Sequence, residues 1–191
     1  MDYKVITAPT PDNRPVVDSV FKEACRVHHT EHDSLLQNLQ EAAVDLIETD
    51  TGRLLLSQTI EFKIPSFPSN GGEIICVKTP VTSITSILYT DDSGTSGTTL
   101  ATSVYELDDY KEAHRIKLKY DQSWPSGTEI IVKVVAGYAA IADIPPRLIE
   151  AIKQVGAYMY KNPDNQVHSL PTFVDKLIRP TRIRRYVPSY E

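Results

Sequence analysis

The hydrophobic period of this chain changes twice along its length. Up to about residue 56 apolar side chains recur at steps of three and four, from Ser57 to Tyr138 they alternate, and from Pro145 the helical step returns. A chain that reads helix, strands, helix has few economical solutions. The helices from both ends pack together, and the strand-rich middle stands as an insertion between them. The fold class expected is therefore α+β: a small helical bundle from the N- and C-terminal segments with an inserted antiparallel β sandwich or barrel module. The boundaries read as 1–56 for the N-terminal helical part, 57–138 for the β module, 139–178 for the C-terminal helical part and 179–191 for an extended basic arm.

Local signals fill in this frame. Asp18 or a neighbour caps a short helix to about Arg26, with Val20, Phe21 and Ala24 on one face. The polar link HHTEHD follows. A long helix from Ser34 to Thr51 carries Leu35, Leu36, Leu39, Ala42, Ala43, Leu46 and Ile47 as a single apolar stripe. Ser34 and Gln37 stand at capping-box spacing, and Gly52 is placed to end the helix in a left-handed turn. In the middle, Ile60, Phe62 and Ile64 alternate with polar residues. Further strands follow at Glu73 to Lys78, Ser83 to Tyr89, Tyr105 to Leu107, Arg115 to Lys119 and Glu129 to Ala136, joined by Gly/Asp/Ser turns such as SNGG at 69–72. Pro145 and Pro146 preset a helix start, and Leu148, Ile149, Ile152, Val155, Gly156 and Met159 form its stripe until Asn162 and Pro163. Gly156 on that stripe signals a close helix contact. A shorter amphipathic piece, Thr172 to Ile178, leads into RPTRIRRYVPSYE.

Composition then narrows the function classes. Apolar residues at 41% and charged residues at 24% are ordinary for a globular domain, which excludes disorder, collagen and coiled-coil rods. The net charge of −5 argues against a whole-surface nucleic-acid or membrane binder. That charge is uneven: residues 147–191 hold eight basic against four acidic side chains, so the tail is positive and the body strongly negative. Cys25 and Cys76 make no disulfide framework, the start lacks a signal-peptide core, and no apolar run approaches a membrane span, so a soluble protein born in a reducing compartment is expected.

Catalytic patterns are thin. In HHTEHD, His28 and His32 stand at i, i+4 with His29, Glu31 and Cys25 near, the spacing of a zinc site, but HExxH register is missing and a solvated link is the plainer reading. GTSGT at 94–98 lacks GxSxG spacing and lies between strands, as a hairpin tip does. The pairs Asp91-Asp92 and Asp108-Asp109 could supply acid and base or calcium ligands, yet adjacent strand residues point to opposite faces, which favours turn roles. Trp124 in QSWPSG reads as a turn anchor, with ligand stacking as the alternative. No phosphate loop, dinucleotide fingerprint or CxxC pair is present. No enzyme, cofactor or metal is expected.

The order of the pieces resembles a known family. DSLLQNLQEAAVDLIETDTGRLLLSQT, TPVTSITSILYTDDSG, YELDDY, VVAGYAAIADIPPRLIEAIKQVGAYMYKN and LPTFVDKLIRPTRIRR together are similar to the head-tail connector (adaptor) proteins of long-tailed bacteriophages, in the branch with a β module inserted between the helices. The marks are Thr51-Gly52-Arg53 at the close of the long helix, Ala136-Gly137-Tyr138 at the last strand, the Pro-x-x-Leu-x-x-Ala-Ile helix, and Leu-Ile-x-Pro-x-Arg at 177–182. The sequence departs from the family late in the C-terminal helix, where Asn162-Pro163 cuts it short, and in its His-rich link.

The resemblance implies a structural virion protein rather than an enzyme. Such proteins form a ring, usually of twelve subunits, under the portal; the ring extends the DNA channel and docks a tail-completion or stopper protein. DNA would pass without specific binding, no membrane partner is implied, and the protein would be made in the host bacterial cytoplasm and end in the virion at the head-tail junction. The arm supplies the expected portal-binding set: Arg179, Arg182, Arg184 and Arg185 for portal carboxylates, and Ile183, Tyr186 and Tyr190 as apolar anchors. Two other classes stay open on residues alone: a ligand- or carbohydrate-binding β module using Trp124, and a small metal-dependent hydrolase using His28, His29 and His32.

Overall fold

The computed structural model describes residues 3–9, 13–163 and 170–183. Four helices and two antiparallel sheets make the α+β fold that the change of period predicts. The described residues divide into two compact units: 13–56 with 140–163 and 170–182, and 3–9 with 57–139 and Ile183.

The first unit is helical: α1 (Asp18–Cys25), α2 (Asp33–Thr51), α3 (Pro146–Lys161) and α4 (Thr172–Ile178). Helix α3 lies at its centre and packs against the other three. Leu148, Ala151, Ile152 and Val155 on α3 are buried, and Pro146, which lacks an N–H, costs no hydrogen bond because the first-turn N–H groups of a helix have no helical partner. The contact predicted at Gly156 is with Phe21 of α1: a Cβ there would come within 2.5 Å of the Phe21 ring carbon Cε2, and closer still to Cζ. The inward face of α1 is thus Phe21 and Cys25, while Val20 remains 42% exposed.

The start of α2 differs from expectation. The capping box does not form: the helix begins one residue earlier, His32 occupies the cap position without a side-chain bond to the helix's own N–H groups, and Gln37 instead donates to Asp18 Oδ2 at 3.0 Å. A tertiary bond to α1 replaces the local one, and Lys22 Nζ to Asp33 Oδ1 at 2.6 Å adds a second tie.

The second unit holds the strands. One sheet runs β1-β2-β8-β4-β5, with β1 (Tyr3–Thr7), β2 (Gln58–Ser66), β4 (Val81–Thr90), β5 (Thr98–Thr99) and β8 (Thr128–Ala136). The other runs β3-β7-β6, with β3 (Ile74–Ile75), β6 (Tyr105–Asp108) and β7 (Arg115–Leu118). Both sheets are open among the described residues, so neither is a closed barrel. Strand β8 is central. Its Ile130, Val132 and Val134 stand opposite Ile64, Phe62 and Ile60 of β2, all fully buried, which is what alternation demands of a strand with one face in the core. On the other face Glu61 stands opposite Lys133, with 3.4 Å between the charges.

Strand β1 is absent from the sequence reading, which placed residues 1–56 in the helical part. All five of its residues are exposed, and its order comes from pairing with β2, Tyr3 opposite Phe62 and Val5 opposite Ile60. An edge strand held by a distant ladder leaves no local hydrophobic pattern.

Candidate functional site

Two of the sequence marks that carried the family resemblance meet in space. Helix α2 ends at Gly52, φ 73°, whose N–H bonds to Glu48 O at 3.1 Å; Thr51 Oγ1 donates to Ile47 O at 2.6 Å, and Glu48 Oε1 accepts from Leu55 N at 2.7 Å. This tightly turned end then receives the segment after α4. Arg53 Nε donates to Thr181 O at 2.8 Å. Arg182 grips Asp50 with two bonds, Nε to Oδ2 at 2.6 Å and Nη2 to Oδ1 at 2.8 Å, and Nη2 also reaches Asp175 Oδ1 at 2.5 Å.

The electrostatic reason lies in α2 itself. Its last turn carries Glu48 and Asp50 and no basic residue, although the carboxyl end of a helix repels carboxylates. Arg182 supplies the missing cation in bidentate form, and Asp50 first, then Asp175, hold its guanidinium more firmly protonated than usual. Thr51-Gly52-Arg53 and Leu-Ile-x-Pro-x-Arg are the two halves of one clasp.

Of the seven residues expected to meet a portal, the structure describes three. Arg179 is exposed at the end of α4, Ile183 is half-buried, and Arg182 is committed to its own chain by the clasp. Arg184, Arg185, Tyr186 and Tyr190 lie outside the described residues.

The remaining sequence candidates resolve into local structural roles. The link at 28–32 is not helical, so His28 and His32 lose the i, i+4 geometry a zinc pair needs. His32 Nδ1 bonds with Tyr160 OH at 2.8 Å, and His29 packs edge-on against the His32 ring. Among the described residues no group of three His, Cys, Asp or Glu side chains is set to hold a metal ion. Asp91 Oδ1 accepts from Ser93 N at 2.9 Å and Thr95 N at 3.0 Å, an Asx turn; the Ser93 hydroxyl bond, then the backbone ones, hold its carboxyl below the usual range. Asp92 accepts from Ser126 Oγ at 2.8 Å, and Asp108 from Tyr110 N at 3.3 Å. Trp124 stacks on Phe67 at 5.2 Å between centroids and donates Nε1–H to Gly72 O at 2.8 Å, which leaves it an anchor of the β unit.

One feature escaped the sequence reading. The apolar stripe of α2 is two stripes. At 100° per residue, Leu36, Ala43 and Ile47 (with buried Gln40) face one way, and Leu35, Leu39, Ala42 and Leu46 face roughly 100° around the helix. The second set, with Met159, Tyr160, Asn162 and Pro163, lines an open groove of about 530 Å³. Counting angles would have separated the two.

No protein-family model matches the sequence, and no curated protein matches it. Solved structures do. A chain in the virion of a native gene transfer agent (GTA) particle superposes with TM-score 0.79 over 98% of both chains at 21% identity. A chain in the neck of the native particle, computed with C12 symmetry, gives 0.78 over the whole of both chains at 22% identity. The chain has the fold of GTA particle proteins. A chain in the neck of the empty GTA particle, computed with C6 symmetry, gives 0.78 at 20% identity, again over all of both chains. At such identities the likeness is one of fold. It spans the helical stretches and the β insert alike, so the resemblance to connectors drawn from motifs and the likeness drawn from coordinates agree on a neck-type fold.

Proposed function

We propose that this chain is a structural virion protein of the particle neck, a head-tail connector subunit. The observation that carries the reading is the end-to-end match to neck and virion chains, which includes the insertion as well as the helices. On this reading the protein assembles as a ring under the portal, extends the DNA channel and offers its far side to a tail-completion or stopper protein. The sixfold and twelvefold symmetry of the neighbours' structures supports a ring. Its role is structural and non-enzymatic, and its place is the head-tail junction. The strongly acidic body suits a channel wall that DNA must slide past, since lumenal carboxylates repel phosphates where a basic wall would hold them.

The C-terminal segment is the portal-binding element in this proposal, with Arg179 at its base and Ile183, Arg184, Arg185, Tyr186 and Tyr190 beyond. Arg182 serves as its anchor: the clasp fixes where the segment leaves the helical unit, and the residues past it do the docking. The test is a chain cut after Ile183, which keeps the clasp. It should fold and lose co-migration with the portal, and negative-stain images of intact chain mixed with portal should show a ring seated on it. A cut chain that still binds the portal would sink the arm's role, and intact chain that never joins the portal would sink the reading.

A further inference from the structure

The groove on α2 and α3 is apolar at its floor, through Leu39, Ala42, Leu46 and Met159, and acidic at one margin, where Asp45 stands exposed beside the stripe. A second patch on the same helical unit has the opposite character. On α4, Val174 and Ile178 are buried, and the outward side presents Phe173, 51% exposed, with Lys176 three residues on and Arg179 three beyond that. An exposed phenylalanine followed by cations and an open leucine-lined groove with a carboxylate at its margin are complementary in both polarity and charge. They share no residue.

Cyclic assembly of identical chains requires this arrangement. A ring closes through heterologous contacts, each copy offering one patch to the neighbour on one side and a different, matching patch to the neighbour on the other. The neck chains with this fold occur in structures of sixfold and twelvefold symmetry. A self-complementary patch would stop at a dimer; two unlike patches propagate.

We infer that the α4 ridge of one copy seats in the α2–α3 groove of the next, with Phe173 against Leu39, Ala42 and Leu46, and Lys176 paired with Asp45. The occupant of the groove is a second copy of this chain. The inference rests on the ring reading and names the contact that builds the ring. With about half of the residue still exposed, covering the phenyl ring removes on the order of 100 Å² from water, enough to make Phe173 the anchor of the contact.

The test uses full-length chains carrying either Ala42→Cys or Thr172→Cys, the latter an exposed neighbour that leaves the Phe173 anchor in place; Cys25 and Cys76 are both buried and stay out of the reaction. Under copper-catalysed air oxidation, two thiols give up two protons and two electrons to dioxygen and form one disulfide. The mixture should yield a covalent dimer several-fold above either chain alone, and a chain with both cysteines should yield a ladder. In that cysteine background, Asp45→Lys or Lys176→Glu alone should cut the yield several-fold, and the two together should restore it. Dimers as abundant in either single-cysteine chain as in the mixture, or no rescue by the charge exchange, would overturn the inference. Negative-stain imaging with portal separates the two claims: rings without the mixed dimer reject this contact and leave the ring, whereas neither rings nor dimer rejects both.

Discussion

The helical unit and the β unit dispose of their side chains in opposite ways. In the β unit, the aromatic and carboxylate groups that the sequence offers as a site are consumed at home: Trp124 by Phe67 and Gly72, Asp91 by its own turn, Glu73 by Arg115 at 2.6 Å and Lys111 at 3.2 Å, while the exposed Tyr110 and Tyr120 stand on turns. In the helical unit a leucine stripe and an exposed phenylalanine are left over after the core has closed. A ladder of strands satisfies its own backbone and pairs its own faces, whereas a helix has sides to spare. The surplus is where partners are to be sought.

The sharpest way to break that contrast is to damage a place where the helical core has no slack. Phe21→Ala removes a ring that is 1% exposed and should destabilise the helical unit by about 3–5 kcal/mol. Gly156→Ala overfills the same spot and should cost about 1–3 kcal/mol. Combining Gly156→Ala with Phe21→Leu should recover part of the loss, and calorimetry of the four chains measures the coupling. Strict additivity would mean the two residues do not share the space.

Next in size is the clasp. Arg182→Ala leaves Asp50 at a helix carboxyl end without its cation, and the expected loss is about 1 kcal/mol, at the upper end for partly exposed ion pairs because the contact is bidentate. Arg182→Lys should recover little, since an ammonium cannot reproduce the fork. Full recovery by lysine in denaturant titrations would show that charge alone matters.

The β unit's counterpart is milder and depends on pH. Arg115 first, then Lys111, hold the Glu73 carboxyl below its ordinary range. A depressed folded value contributes stability above the unfolded carboxylate range, near pH 4 to 5, and loses it as pH falls toward the folded value. Glu73→Gln should therefore cost a few tenths of a kcal/mol at neutral pH and flatten the acid limb of the stability curve. An unchanged limb would discard the ion pair as a contributor. Smallest of all, neither thiol should react with a maleimide in the native chain near neutral pH. Burial pushes Cys76 up to about 12 and also raises Cys25, and fast labelling of either would reveal local opening.

Much of the fold was legible because it rests on local repetition. The three-part period, the Gly156 contact, the left-handed close at Gly52 and six of the strands all follow from spacing alone. Strand β1 was hidden, because its five exposed residues owe their order to a ladder with β2 some sixty positions away. The capping box was a false friend: Gln37 had two possible partners, and packing of α1 on α2 decided for Asp18. The candidate site was half legible. Arginine content marked the segment after α4, but nothing local says that Arg182 turns back to Asp50, or that Leu35 and Leu46 face away from Leu36 and Ile47.

Sequence alone determined which segments are helices and which are the inner strands, and that an acidic body carries a basic end, because periodicity and charge are sums over neighbours in the chain. Only the tertiary structure decided which charges are spent inside the molecule and which apolar faces remain bare. Arg182 and Phe173 lie nine residues apart, yet one closes a clasp on its own chain and the other stands in solvent. That difference depends on residues more than a hundred positions away, which no local pattern encodes.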